Sequence, residues 1–406
     1  MIYNSSAKLI TSRVSILPAA LVLYKQNSYS SRNNREAIIM KLSCKKEDLQ
    51  ENIVKVEGAV SVKTTLPVLN NILIEASGNE LQLTSTDLEL VIKCKMKEVN
   101  ISEEGSITIP ARKFIDIVKE LPPDKDISIN VDEKNQITIK CSKINFRIMG
   151  LPKSEFPPVL EPKKDSLNFK IKQSVLRNMI KKVIFSVSSD ETRKILTGVY
   201  MIIEGSEIKM VSTDGHRLAF IKGAITAVEK SAKIIVPTKV LNEISKSLND
   251  SDDIDVAVLE NQIIFKRNDL IVTSRLIDGQ YPSYEQIINK IFDKKVRVKT
   301  EEMYRAVKRV SLVAIDKTSA VKLKASDGSL VVTAQTVDVG DAEEEITADY
   351  KGEETSIAFN SRYVLDVLKV LEEEETDIQL RDSASAGLIK PVKDDSYIYI
   401  IMPVRI

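Results

Sequence analysis

Three kinds of stretch in this chain recur at nearly one interval. "LQLTSTDLEL" at 81–90 resembles "IKMVSTDGHRL" at 208–218, and "LVVTAQT" at 330–336 fills the same slot, at offsets of 127 and 122. "TIPARKFIDIVKEL" (108–121), "IVPTKVLNEISKSL" (235–248) and "AFNSRYVLDVLKVL" (358–371) align without a gap. "FRIMGLP" (146–152), "VTSRLID" (272–278) and "YIIMPVR" (399–405) keep nearly the same interval. Self-similarity at a fixed period marks tandem copies of one unit that packs against its neighbours. Three like domains are therefore expected, at 40–160, 166–285 and 286–406. Proline-bearing linkers, "PKSEFPPVLEPKKD" (152–165) and "DGQYPSYEQIINK" (278–290), separate them.

Each domain divides again into similar halves. Phe114, Ile117, Val118 and Leu121 fall at helical spacing, and "ISINVDE", "QITIKCS" and "FRIMG" alternate as strands do. The first half repeats that order, with a short strand, a helix within 45–60, and the strands "NILIEAS", "ELQLTST" and "LELVIKCKM". The expectation is an α+β protein of six β-α-β-β-β modules, with helices on one surface and sheets on the other. Like modules set side by side tend to curve, and a curve can close into a ring.

The chain of 406 residues is 43% hydrophobic and 29% charged, enough to bury real cores. It has one histidine, and Cys44, Cys94 and Cys141 lack any CxxC spacing, so no zinc site of the usual ligands can assemble. Neither metal nor cofactor is expected, and the cysteine usage fits a reducing, cytoplasmic setting. Tryptophan is absent and aromatics are 5%, which argues against base stacking on aromatic platforms. Net charge is +1, but residues 1–39 carry five cations against Glu36 alone, leaving the main body at −3. Bulk positive charge is not how that body grips a partner.

Residues 1–39 hold one apolar run, "VSILPAALVLY", too short and proline-interrupted to span a bilayer. A transit or secretory peptide is one reading of them. The other is an upstream-start artefact: "REAIIM" back-translates to a ribosome-binding sequence ahead of a start codon at Met40.

"STDGHRLA" (212–219) sets Asp214, His216 and Arg217 in one turn and invites a catalytic reading. A hydrolase needs a nucleophile, a base and an orienting acid in mutual reach, which one short turn does not supply. Domain one keeps Ser85, Thr86 and Asp87 without the histidine or arginine, so Ser-Thr-Asp reads as turn chemistry. No enzymatic activity is expected.

Arg112, Lys239 and Arg362 share one position in the first turn of the second-half helices. Asp116, Glu243 and Asp366 follow four residues on and offer each an ion pair. In "VLRNMIKKVIF", Arg177, Lys181 and Lys182 share a helix face, as do Arg305, Lys308 and Arg309 in "MYRAVKRVSLV". No acid stands at i+4 to neutralise them. Two such stripes on a net-acidic body predict a focused surface for a polyanion.

With "TTLPVLNNIL" (64–73), "TIPARKF", "STDGHRLA", "DGQYP" and the terminal "MPVRI" in this order, the chain from Met40 to Ile406 resembles the bacterial replicative sliding clamps, the beta subunit of DNA polymerase III. That resemblance implies three tandem clamp (processivity-fold) domains, with sheets outside and helices inside a closed ring made by a head-to-tail homodimer. It implies double-stranded DNA in the pore, held without sequence specificity, with Lys63 as a further DNA contact. It also implies partners, namely the replicative polymerase, the clamp loader and other proteins with clamp-binding motifs, and no membrane. By motif match a peptide pocket between domains two and three is lined by Arg193, Leu196, Thr213, Gly215, His216, Arg217, Leu218, Pro282, Ile287, Asn360, Tyr363, Met402, Pro403, Val404 and Arg405. Two or three apolar anchors at roughly 1.5–3 kcal/mol each, less about 2–5 kcal/mol for ordering the peptide, give an affinity on the order of micromolar. Ile195, Ile287 and Ile406 depart from the pattern, as does Asp190. The dimer contact is expected at Phe146 and Ile148 of domain one and Leu312 and Val313 of domain three, the alternative being that all four are ordinary core. A clamp-like scaffold that does not encircle DNA is the competing function.

Overall fold

The computed structural model describes residues 38–61, 64–158, 166–250, 252–315, 318–337 and 339–405. Six β-α-β-β-β modules follow one another. The first is β1 (Ile38–Lys45), α1 (Lys46–Glu57), β2 (Asn71–Ser77), β3 (Glu80–Thr86) and β4 (Leu90–Met96), with a short β5 (Val99–Glu103) after it. The second is β6 (Gly105–Pro110), α2 (Ala111–Glu120), β7 (Asp126–Asp132), β8 (Gln136–Cys141) and β9 (Ile144–Met149). The third is β10 (Leu167–Lys172), α3 (Gln173–Val183), β11 (Gly198–Glu204), β12 (Glu207–Thr213) and β13 (Arg217–Ala224). The fourth is β14 (Ala232–Pro237), α4 (Thr238–Ser247), β15 (Asp253–Val258), β16 (Gln262–Arg267) and β17 (Leu270–Arg275), and the one-turn α5 (Glu285–Ile288) lies in the linker beyond. The fifth is β18 (Lys294–Lys299), α6 (Thr300–Val310), β19 (Ala320–Ser326), β20 (Ser329–Thr336) and β21 (Gly340–Asp349). The sixth is β22 (Thr355–Asn360), α7 (Ser361–Val370), β23 (Glu375–Leu380), β24 (Gly387–Pro391) and β25 (Tyr397–Ile401).

Alternation produces the strands: in β8 Ile137, Ile139 and Cys141 are buried while Gln136, Thr138 and Lys140 face outward. On α2 the buried stripe is Ala111, Phe114, Ile115 and Val118. Ile117, expected inside, is only half-buried, packed at the margin of the core, and Ile115 is buried in its place. The two helices of each module pair pack on one another, α1 on α2, α3 on α4 and α6 on α7. A single apolar cluster runs beneath them through all three pairs. Cys44, Cys94 and Cys141 lie buried and free in it. Burial pushes the Cys44 thiol up to about 12 and the Cys94 thiol up to about 11.

The sheets do not stop at the ends of the pairs. One has the order β5-β1-β7-β8-β9; another runs β10-β15-β16-β17-β4-β3-β2-β6; the third runs β14-β11-β12-β13-β25-β24-β23-β18-β21-β20-β19-β22. Strand β17 therefore joins the second pair to the first through β4, and β25 joins the third to the second through β13. These two seams are the first and second junctions.

Candidate functional site at the second junction

The turn between β12 and β13 is built by its own side chains. Thr213 Oγ1 donates to the Arg217 carbonyl (2.6 Å) and accepts the Gly215 N–H (3.1 Å). Asp214 Oδ1 accepts the N–H groups of His216 (2.9 Å) and Arg217 (3.0 Å). Thr86 and Asp87 make the same four bonds in the first module, to Leu88, Glu89 and Leu90. Ser85 and Ser212 each donate to the carbonyl of Val56 or Val183 at the end of the preceding helix. Ser-Thr-Asp is thus turn chemistry common to both modules.

The third turn residue is left-handed in each, with φ 78° at Leu88 and 93° at Gly215. Glycine removes that steric cost. A Cβ at 215 would also lie 3.3 Å from Arg193 Nη1, so the missing side chain lets Arg193 close over the turn. Asp190 holds Arg193 there, accepting from its Nε (3.0 Å) and from the Thr192 hydroxyl and N–H. Those Thr192 and Arg193 bonds keep the Asp190 carboxyl below its ordinary range.

The chain end forms the opposite wall. The Met402 N–H donates to the His216 carbonyl and the Val404 N–H to the Ala358 carbonyl, both at 2.8 Å. The His216 ring stacks on Tyr363, centroids 6.5 Å apart and planes at 20°. Beneath them Leu196, Leu218, Tyr281, Tyr284 and Ile400 are buried in one cluster, with Ile195, Ile287 and Tyr200 at its margin. Tyr200 stacks on Tyr281 (4.8 Å, 7°) and meets Tyr284 edge-on (6.3 Å, 72°). Burial, aided by the Glu285 charge, pushes the Tyr284 hydroxyl up to about 12.

The fold brings together Arg193, Leu196, Thr213, Gly215, His216, Arg217, Leu218, Ile287, Tyr363, Met402 and Val404, with half-buried Pro403 between the last two. Pro282 is exposed beside Tyr281. Asn360 caps α7, accepting the Arg362 N–H at 3.0 Å, and donates to the Thr318 carbonyl. Arg405 is exposed and lines a neighbouring hollow of about 740 Å³ with Lys322, Thr333 and Asp341. The tyrosines at 200, 281 and 284 escape motif matching, although two of them bracket Pro282 in "YPSY".

The basic helices differ from the expectation of unpaired stripes. Lys182 is 3% exposed and does not face outward: it pairs with Glu373 (3.1 Å) and Asp394 (3.6 Å) and sits over the Tyr397 ring. The last turn of α3 points it across the second junction into the third module pair. Arg177 pairs with Asp250 (3.0 Å), Lys181 with Glu372 (2.6 Å), Arg305 with Glu301 at i−4 (2.6 Å) and Arg309 with Glu344. Lys308 lies over Tyr304. Acids brought in from other elements, or from the preceding turn, replace the missing i+4 partner. The i, i+4 pairs expected after Arg112, Lys239 and Arg362 do not form either. Lys239 reaches Asp87 across the first junction, Glu243 turns to Lys246 (2.8 Å), and Asp366 is taken by Arg217 (2.6 Å). Arg112 and Arg362 stay exposed, and Lys63 lies outside the described residues.

Phe146 (36% exposed) and Leu312 (74%) are not core, whereas Ile148 and Val313 are half-buried against it. Met149 and Ile315 are exposed near them in sequence, and Val337 is exposed just after β20.

Three module pairs joined by continuous sheets, with helices paired over them and a two-walled groove where the second pair meets the third, define a three-domain clamp. Residues 40–161, 170–283 and 285–405 match the DNA polymerase III beta subunit N-terminal, central and C-terminal domains. The chain is 34% identical over 369 residues to the beta sliding clamp of Pseudomonas aeruginosa, covering 90% of this chain and 100% of that one. It is 33% identical to that of Staphylococcus aureus, covering 86% and 94%. The solved DNA polymerase sliding clamp from Bacillus subtilis superposes with a TM-score of 0.86 at 33% identity, covering 90% and 99%. A Pseudomonas aeruginosa clamp solved bound to griselimycin gives 0.86 at 33%, covering 90% and 100%. The chain belongs to the bacterial beta sliding clamp family, the beta subunit of DNA polymerase III, and its function is that of a DNA sliding clamp.

Proposed function

We propose that two copies associate head to tail into a closed ring around duplex DNA, and that the groove at the second junction receives extended peptide segments of the replicative polymerase, the clamp loader and other partners. The observation that carries the ring is a seam used twice inside the chain. Strand β17 lies on β4, and β25 lies on β13. The strand that would make this contact for the first domain is β9, which pairs with β8, and the strand it would need in the third domain is β21, which pairs with β20 and, at its last two residues, with β18. A second copy supplies each with the missing neighbour and covers two open sheet edges.

The two internal seams also predict the register. Thr273 lies opposite Val91, and Ile400 opposite Leu218. In the repeat Arg147 stands where Thr273 and Ile400 do, and Asp341 where Val91 and Leu218 do. The subunit seam therefore sets exposed Arg147 opposite exposed Asp341, with Phe146, Ile148, Leu312 and Val313 beside it. Arg147→Asp or Asp341→Arg alone should shift the protein to monomer in sedimentation velocity, and the double exchange should restore the dimer. A wild-type chain that sediments as a monomer at micromolar concentration refutes the ring.

In that ring Lys63, Arg112, Arg177, Lys181, Lys239, Arg305, Lys308, Arg309 and Arg362 meet phosphates, and Lys182 does not. Many of these cations already hold a carboxylate, so each phosphate contact is weak and exchangeable, which suits retention by topology rather than by affinity. We read the protein as a non-catalytic, cytoplasmic processivity factor of three domains, 40–160, 166–285 and 286–406. Loading on nicked circular DNA with a clamp loader and ATP, then linearising the circle, tests the function. Retention on the circle with loss from the linear form is expected; equal release from both favours a scaffold that does not encircle DNA.

A further inference from the structure

Arg217 was read from its motif as a pocket wall, but its polar groups all point into the chain. Its Nε donates to Asp214 Oδ2 (3.0 Å), one terminal nitrogen to Asp366 Oδ2 (2.6 Å) and the other to the Phe185 carbonyl (2.6 Å). The guanidinium carbon lies 4.3 Å from the centre of the Tyr363 ring, and the residue is only 9% exposed. Asp214 belongs to the turn that makes one wall of the groove, whereas Tyr363 and Asp366 belong to α7 of the third domain. Tyr363 in turn carries the His216 ring, and its carbonyl accepts from the Tyr399 hydroxyl (3.0 Å). The equivalent residue at the first junction is Leu90, buried and apolar. A fork of fixed donors bound to three separate elements sets the distances between them.

We infer that Arg217 is a positioning residue of the peptide groove: it makes no contact with bound peptide, and by tying the Asp214 turn to α7 it sets the spacing of the two walls and the stacking of His216 on Tyr363. This rests on the groove being the peptide site. Asp366 is the informative partner, since it holds the far end of the fork on α7.

The test uses the full chain and griselimycin, the compound bound in solved clamps from Pseudomonas aeruginosa and Bartonella birtlesii. Its affinity is measured by calorimetry for Arg217→Lys, Asp366→Asn and the double variant, at a temperature where near-ultraviolet circular dichroism shows each folded. His216 is the only histidine in the chain, so its ring proton resonance reports the stacking directly. Each single variant is expected to bind about tenfold more weakly, with the double variant no worse than the weaker single. In both singles the His216 resonance should lose its ring-current shift. Weak binding by Arg217→Lys with normal binding by Asp366→Asn means that Arg217 touches the ligand and overturns the inference. Unchanged affinity in both, or additive losses with an unmoved His216 resonance, also overturns it. If removing residues 402–406 leaves wild-type affinity intact, the groove itself is misassigned, and that failure is distinct from the others.

Discussion

The two junctions inside the chain share one backbone plan and differ in what fills it. At the first, the Arg275 N–H donates to the Glu89 carbonyl and the Ile277 N–H to the Ile235 carbonyl, both at 2.9 Å; at the second, Met402 to His216 and Val404 to Ala358 repeat these bonds at 2.8 Å. The side chains diverge. Lys55, the counterpart of Lys182, pairs with its own helix neighbour Glu51 (2.7 Å) and borders a hollow of about 470 Å³ lined with Cys94, Lys97 and Asp269. The ties across the first junction are Lys239 to Asp87 and Lys97 to Asp269, all but Asp87 well exposed. Across the second they are Lys182 and Arg217, both buried, and the exposed pair of Lys181 with Glu372. Main-chain pairing thus sets both seams, and the burial of the side-chain ties distinguishes one from the other. The seam whose two walls form the groove is the one that holds buried cations, whereas the hollow at the first junction, lined by Asp87, Leu88, Val91 and Arg275, is bordered by exposed ones.

The largest test of this contrast is removal of residues 402–406, which takes one wall from the second junction and leaves the first untouched. Polymerase stimulation should be abolished and griselimycin binding lost, while unchanged binding would refute the cleft. Next is Lys182→Met, which leaves Glu373 and Asp394 facing a junction without their cation. Urea unfolding should show a loss of about 3 kcal/mol, and Lys55→Met less than about 1 kcal/mol. Equal losses would erase the distinction between the junctions.

A pH titration sharpens it further. Burial would raise the Asp394 carboxyl, but bonds from Ser396 and the charge of Lys182 hold it below its ordinary range. A carboxyl depressed in the folded state contributes stability above its unfolded value and loses it as pH falls through the folded value. Stability in urea should therefore fall below about pH 4, and Lys182→Met should remove part of that dependence, the bonds from Ser396 keeping the rest. A drop of the same size in the variant would assign it elsewhere. The smallest effect is expected from Lys239→Met, which removes the exposed cation and leaves the turn bonds of Asp87 in place. Thermal unfolding should register less than about 1 kcal/mol, and a larger loss would mean that the first junction is also clasped.

Much of the fold was legible along the chain because its causes are local. Alternation over β8, helical spacing over α2 and the Thr-Asp turns at 86–90 and 213–217 all arise within a few residues. The groove was legible as far as motifs reached: His216, Leu218, Tyr363 and Met402 do converge. Tyr281 and Tyr284 were not singled out, because a linker tyrosine carries no sign of which cluster it will join. The ionic partners mostly come from distant parts of the chain. Counting four residues along α7 gives Asp366 to Arg362, and nothing local reveals that Arg217, 149 residues away, will take it.

What the chain's own repeat settled was the number of modules, their order and which strand of one module corresponds to which of the next. Strand pairing has period two, so a repeated pattern carries its register with it. What only the assembled molecule decided was which cations are buried. Lys182 and Lys181 are neighbours on one helix, yet Lys182 is inside, clasped to Glu373, while Lys181 remains at the surface. Packing between distant elements draws that boundary, and the spacing of residues along the chain does not contain it.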